Sequence, residues 1–340
     1  MRISPRSSIA PVVLVSIMAI ATSSSLSAVP LKELFRAAAV ANQDFAMAKV
    51  DLELAQLRLS KGEIEAKIEL DRVNAQAAYV SAQDRYSKAV LANFNEVIDT
   101  AYAAATAEVD AAVAALTLEN SREDRKYAEL RYKNGLLSEE DFMKADIAYR
   151  TNASSQETAA LTAQDARDSV LLTLGMEWKA ELLPEVPDFE PKGTKDEWVA
   201  LDPALRAARL TERAAELKTA ALPSNAASFD RRIQETETTK AKATTATAEG
   251  DAQRAYDAIL RLLKSQKAAL QIRRDDYQLK SSTYLDAQRR FEKGAISQSD
   301  KNNAKIAELN ARKSLLVAQQ AYIKSIGKYL IYMGKDPTEL

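Results

Sequence analysis

The sequence predicts an all-α protein in which long antiparallel coiled-coil helices form two tandem repeats. Three observations lead there. Ala dominates a hydrophobic content of 46%, charge stands at 28%, and only eight Gly and nine Pro punctuate 340 residues. That is the composition of long amphipathic helices rather than of a mixed globular fold. Two stretches, 63–134 and 136–174, contain neither Gly nor Pro; the second alone would make a rod of roughly 60 Å, longer than ordinary globular helices. Finally, the phrase RYKNGLLSEED at 131–141 nearly recurs as RFEKGAISQSD at 290–300.

Taken in order, residues 1–28 read as a secretory signal peptide: Arg2 and Arg6, an apolar run from Ile9 to Ala21, then the small-residue exit TSSSLSA. Cleavage is expected between Ser25 and Ala28. A first helical repeat follows over 29–176. Within it Tyr79, Tyr86, Val90, Phe94, Val97, Ala101, Val109, Val113 and Leu116 step by threes, fours and their sums, which predicts one apolar helix face with Ala filling the rest of the seam. Residues 177–203 hold Pro184, Pro187, Pro191, Gly193 and Pro203 with both tryptophans, Trp178 and Trp198, and read as a connector. The second repeat spans 204–340. Gly135 and Gly175 lie 40 residues apart, as do Gly294 and Gly334, and the pairs are offset by 159. At an offset of 160, NQDFAMAKVDLELAQL aligns with DPALRAARLTERAAEL, matching Phe45 to Leu205 and Ala48 to Ala208.

The recurring phrase encodes a helix reversal. Gly135 can take the left-handed conformation that ends a helix, Ser138 can cap the next, and Asp141 can complete a capping box. Leu137 and Phe142 occupy the two positions of a hydrophobic staple. The second phrase repeats the cap with Gly294, Ser297 and Asp300, but Lys301 replaces the staple partner. Tight turns alone would account for these residues. The small-apolar pair preserved at each tip makes Gly135, Leu136, Leu137 and Ser138, with Gly294, Ala295, Ile296 and Ser297, candidates for docking a partner.

Composition excludes several functions. Without Arg2 and Arg6 there remain about 45 basic residues against 48 acidic ones, too balanced a field to hold nucleic acid. With no Cys there is no disulfide and no N-terminal lipidation, and with no His the commonest general base and metal ligand is missing. No phosphate-binding loop follows a predicted strand and no acidic cluster has calcium-loop spacing. The many Glu and Asp read as solvated helix faces. We therefore expect no enzyme activity, no catalytic residue, no cofactor and no metal. After the signal region no stretch reaches the roughly 18 consecutive apolar residues of a transmembrane helix.

On the paired phrases, on the long helices that follow them and end near glycine in LLTLGME and LIYMGKD, and on the openings NQDFAMAKVDLELAQ and DPALRAARLTERAAE, the chain resembles the TolC-like outer membrane efflux protein family over nearly its whole mature length. The resemblance implies a homotrimeric helical tunnel in the periplasm, an outer-membrane β-barrel, and hairpin tips that dock a periplasmic adaptor protein serving an inner-membrane pump in efflux or type I secretion. By motif position the docking tips are Gly135, Leu136 and Leu137, and Gly294, Ala295 and Ile296. In the best-known member, acidic residues six and nine places after the second tip glycine narrow the tunnel. Here those positions are Asp300 and Asn303, so half of that constriction is matched.

The membrane part departs from the family. Where a pair of membrane strands would stand in each half, the chain has GEIEAKIELDRVNAQAAYVSAQ and PSNAASFDRRIQETETTKAKATTATAEG. A membrane strand needs about 9 to 11 residues of alternating apolar character. The first segment alternates only at Ile64, Ala66, Ile68 and Leu70, then reads as helix without a turn. The second offers only Phe229 and Ile233 as large apolar residues. A TolC relative reduced to its helical portion is the expectation, in the periplasm or on the periplasmic face of the outer membrane of a Gram-negative-type envelope. The alternative is a soluble periplasmic coiled-coil scaffold or holdase without channel activity. An adaptor would carry Gly-rich β domains that this composition lacks.

Overall fold

The computed structural model of the protein describes residues 31–66 and 68–338. The expected signal segment lies outside them. The described chain runs α1 (Leu31–Ala41), α2 (Gln43–Glu65), α3 (Glu69–Lys133), α4 (Glu139–Leu174), a 3-10 turn (Ala180–Leu182), α5 (Lys195–Leu201), α6 (Pro203–Ala220), α7 (Ser228–Glu292) and α8 (Gln298–Tyr332). No strand occurs among the described residues, so the all-α expectation holds.

Two hairpins, α3–α4 and α7–α8, lie side by side and join along α3 and α8. Toward the tips the layer is ordered α4, α3, α8, α7; toward the opposite pole α2 and α6 flank α3, and α6 packs on α7. The long helices match in length, 65 residues for α3 and for α7, against 36 for α4 and 35 for α8.

Because α3 is central, it is buried on two sides. Phe94, Ile98, Tyr102, Ala105 and Val109 meet Leu309, Leu316 and Ile323 of α8. Val97 and Ala104 instead meet Leu34 and Ala38 of α1 and Val170 and Leu174 of α4. The single face read from the sequence therefore divides: Phe94 and Val109 belong to one stripe, Val97 to the other, while Tyr79, Tyr86, Val90, Val113 and Leu116 are half-buried. By length and composition α3 is apolar enough to cross a membrane, and 33% of its most apolar 18-residue stretch is buried. Its Ala101, Tyr102, Ala104, Ala105 and Ala107 are packed seam residues.

Polar bonds run beside the α3–α8 core. Lys324 and Lys313 reach Asp99 and Asp110, each at 2.7 Å, Gln320 donates to Asp99 at 2.7 Å, and Asn302 donates to Asn120 at 2.9 Å. As the number falls along α8 it rises along α3, so the two helices are antiparallel and both hairpin tips lie at one pole. The ion pairs are half exposed and add little each; the register comes mainly from packing. Its tightest point is Gly327, where α8 carries no side chain and the Phe94 ring fills the space.

The connector is not a loose linker. Tyr256, Tyr322 and Tyr329 donate hydroxyl bonds to the carbonyls of Gly193, Phe189 and Lys192 at 3.0, 3.3 and 3.1 Å, strapping the segment over α7 and α8. Trp198 of α5 stacks on Tyr329 and Tyr332, whereas Trp178 packs against the α3–α8 core and the core between α1, α3 and α4. Pro203, expected as the connector's last residue, is the first residue of α6, where its missing N–H costs no hydrogen bond and Asp202 caps Leu205 at 2.8 Å.

At the pole opposite the tips, α2 ends at Glu65 and α3 begins at Glu69, while 221–227 join α6 to α7. The break between α2 and α3 was not expected, since the sequence between them contains neither Gly nor Pro. Gly62, the nearest glycine, stays helical inside α2, where an added Cβ would lie 2.9 Å from that of Ala75. It is used for close approach of α2 to α3 rather than to break the chain.

Candidate docking surface

Each tip is built from its helix ends. Gly135, at φ 71°, donates to Tyr132 O at 2.9 Å, and Leu136 donates to Arg131 O at 2.8 Å. Gly294, at φ 69°, and Ala295 make the same two bonds to Phe291 O and Arg290 O, both at 2.8 Å. These are Schellman closures, and they require the left-handed glycine.

The caps differ. Ser297 accepts from Asp300 N at 3.0 Å and Asp300 accepts from Ser297 N at 3.1 Å, a full capping box. Ser138 accepts from Asp141 N at 3.1 Å, but the Asp141 carboxylate takes the Ser138 hydroxyl at 2.8 Å and pairs with Lys144, so the expected box is half formed. The Ser297 hydroxyl and backbone bonds hold the Asp300 carboxyl below its usual range, and the Ser138 and Lys144 bonds do the same for Asp141. The sign follows: a carboxylate whose folded pKa is depressed stabilises above its unfolded pKa and loses that contribution as pH falls through the folded one. Both caps are thus intact at mildly acidic pH. Ser297→Ala should cost about 1 kcal/mol locally, seen as faster amide exchange in the first turn of α8 with the global unfolding midpoint nearly unchanged.

Phe142, the expected staple partner of Leu137, also stacks on Tyr132 across the reversal, with centroids 5.4 Å apart. At the positions offset by 159, Lys301 lies 4.4 Å from the Phe291 ring centroid, so a cation–π contact replaces the aromatic pair. Of the four candidate apolar tip residues, Leu136 is 66% exposed and Ala295 is exposed, while Leu137 and Ile296 are half-buried.

Of the two constriction candidates, Asp300 is spent on the cap of α8 and Asn303 accepts from Asn120 Nδ2 at 3.0 Å. Asn120 also accepts from the buried Asn302, forming an amide clasp between α3 and α8 about one turn above the second tip. Sequence reasoning missed Asn120 and Asn302, because nothing in the spacing ties positions 182 apart. Among the described residues no group of three or more Asp or Glu could hold a metal.

No protein-family model matches the sequence, and no curated protein matches it. Solved structures do. A membrane protein from Pseudomonas aeruginosa superposes with a TM-score of 0.57 at 15% identity, covering 87% of this chain and 93% of its own. CusC, described in connection with transmembrane channel formation, gives 0.56 at 13%, covering 87% and 90%. The Campylobacter jejuni CmeC outer membrane channel gives 0.53 at 13%, covering 89% and 86%. The fold is that of the TolC-like outer membrane channels, as the resemblance in the sequence implied.

Proposed function

We propose that the chain is a TolC-like periplasmic helical-tunnel component of an efflux or type I secretion system, docking an adaptor protein and through it an inner-membrane pump by its two hairpin tips. The observation that carries this reading is the antiparallel α3–α8 seam, which sets both tips at one pole with Leu136 exposed. The shared fold of outer membrane channels supports it. The rest of the reading is a tandem duplication over 29–176 and 204–340 joined by 177–203, export to the periplasm or the periplasmic face of the outer membrane, assembly as a homotrimer, and catalysis of no reaction. Asp300 and Asn303 are carried with it as a tunnel constriction.

Changing Leu136→Asp together with Leu137→Asp tests the docking. A buried charge at an interface hot spot should weaken adaptor capture at least about thirtyfold, with helicity by circular dichroism unchanged. Unaltered capture would reject tip docking. The few residues between α2 and α3 and between α6 and α7 favour a second reading, a periplasmic coiled-coil scaffold or holdase without channel activity. It calls for recovery in the soluble periplasmic fraction and for suppression of client aggregation that the tip changes leave intact.

A further inference from the structure

The two tips are built alike in backbone and unlike in charge, and we infer that the second tip, and not the first, receives an acidic segment of the docking protein. This rests on the tip-docking reading and adds the chemistry of the partner.

At the first tip, residues 129–144 carry three basic and four acidic side chains; the equivalent residues 288–303 carry four basic and two acidic. Leu130 is replaced by Arg289, Asn134 by Lys293, Phe142 by Lys301, and Glu139 and Glu140 by Gln298 and Ser299. The first tip pairs two of its three cations with carboxylates. Lys133 pairs with Glu129 at 2.6 Å and Lys144 with Glu140 at 2.8 Å, while Arg131 donates to Leu136 O at 3.3 Å and lies over Tyr127.

At the second tip, Arg289, Arg290 and Lys293 are all exposed, and among the described residues no carboxylate lies within ion-pair distance of any of them. Arg290 acts on Asp300 only through the field that helps lower its pKa. Cations in the last turn of a helix favour its dipole, which explains one or two of them. It does not explain why α3 compensates its cations and α7 leaves three open beside Gly294. A cluster of unpaired like charges is self-repelling until an opposite charge arrives, and complementary charge at an interface rim steers encounter and selects partners. Ala295, smaller than its counterpart Leu136, also lets a partner backbone come close to that collar.

The test places p-benzoylphenylalanine at position 295, and separately at 136, in the full chain in its native host, followed by irradiation and sequencing of the crosslinked peptides. The 295 adduct should map to a protein segment richer in Asp and Glu than in Lys and Arg. Its yield should fall about tenfold in Arg289→Glu/Arg290→Glu/Lys293→Glu, and by less in the Gln triple variant, as expected for charge-dependent encounter. Both variants alter exposed positions and should keep wild-type helicity. A neutral or basic crosslinked segment, a yield unchanged in the Glu variant, or an adduct at 136 with none at 295 overturns the inference alone. Absence of protein adducts at both positions overturns tip docking itself.

Discussion

Gly327→Ala should destabilise the protein by about 3 kcal/mol, the upper end of what overpacking a filled core costs. A Cβ at this position would meet Cε1 of Phe94 and lie 2.6 and 2.7 Å from Cζ and Cδ1 of the same ring. Three atoms of one rigid ring are involved, so no single rotamer adjustment relieves the clash. Phe94 is fully buried beside Ile98 and Ile323, both also at 0% exposure, which leaves the ring nowhere to turn. The helix itself would welcome Ala over Gly by up to about 1 kcal/mol, so any net loss is a direct reading of the seam. Chemical denaturation followed by circular dichroism measures it. Phe94→Leu, harmful alone, should recover part of the loss in the Gly327→Ala background, because residues in contact couple non-additively. A wild-type midpoint for Gly327→Ala would show that α3 and α8 are not held at this separation.

Trp198→Ala should cost about 3 to 5 kcal/mol, the range for removing a buried large aromatic. The indole is 3% exposed and lies against three tyrosines: Tyr332 at 5.3 Å, Tyr256 at 5.7 Å and Tyr329 at 5.9 Å between centroids. Helix α5 has seven residues, too few to persist without packing; Trp198 and Val199 are the residues it buries. Their loss would free the strap as well, since Tyr256 and Tyr329 are also the donors that hold Gly193 and Lys192. Limited proteolysis should therefore cut the connector well before the long helices. Trp198→Phe separates ring from polar group: the indole N–H is buried without a hydrogen-bond partner among the described residues, so the phenyl ring gives up volume but relieves an unmet donor. It should retain most of the stability. Equal losses for Phe and Ala would mean that stacking does not hold α5.

The helices were legible wherever the chain announces its own ends. Gly135, Gly175, Gly294 and Gly334 all take positive φ, and Ser138 and Ser297 cap where the phrases place them, because these are local rules acting within a turn of helix. The openings at Asn42 and Asp202 are equally local: each side chain accepts from the N–H three residues on. What lay beyond reading was set by neighbours across space. Two buried stripes on α3 cannot be told from one broad face by periodicity, since they differ only in which helix covers them. Phe142 satisfies the sequence rule for a staple, but its stack on Tyr132 needs a ring that the incoming helix presents only after the reversal has formed. Lys301 looked like the loss of a partner until the Phe291 ring was seen beneath it. The charge difference between the tips is written in the residues, but that, among the described residues, Lys133 and Lys144 are ion-paired while Arg289, Arg290 and Lys293 are not depends on side-chain placement.

The antiparallel seam of α3 and α8 has a consequence in time. Lys324 and Asp99 stand 225 residues apart in sequence, so the α3–α8 contacts close a far longer loop than those within either hairpin, and that closure entropy is lost before the contacts reward it. Each hairpin can zip locally first, since its contacts are nearer in sequence. The Phe94, Ile98 and Tyr102 stripe must meanwhile wait uncovered, with Gly327 the last socket to arrive. The folding barrier therefore belongs to the late docking of one finished hairpin on the other, and the waiting face of α3 is the surface a chaperone would have to guard.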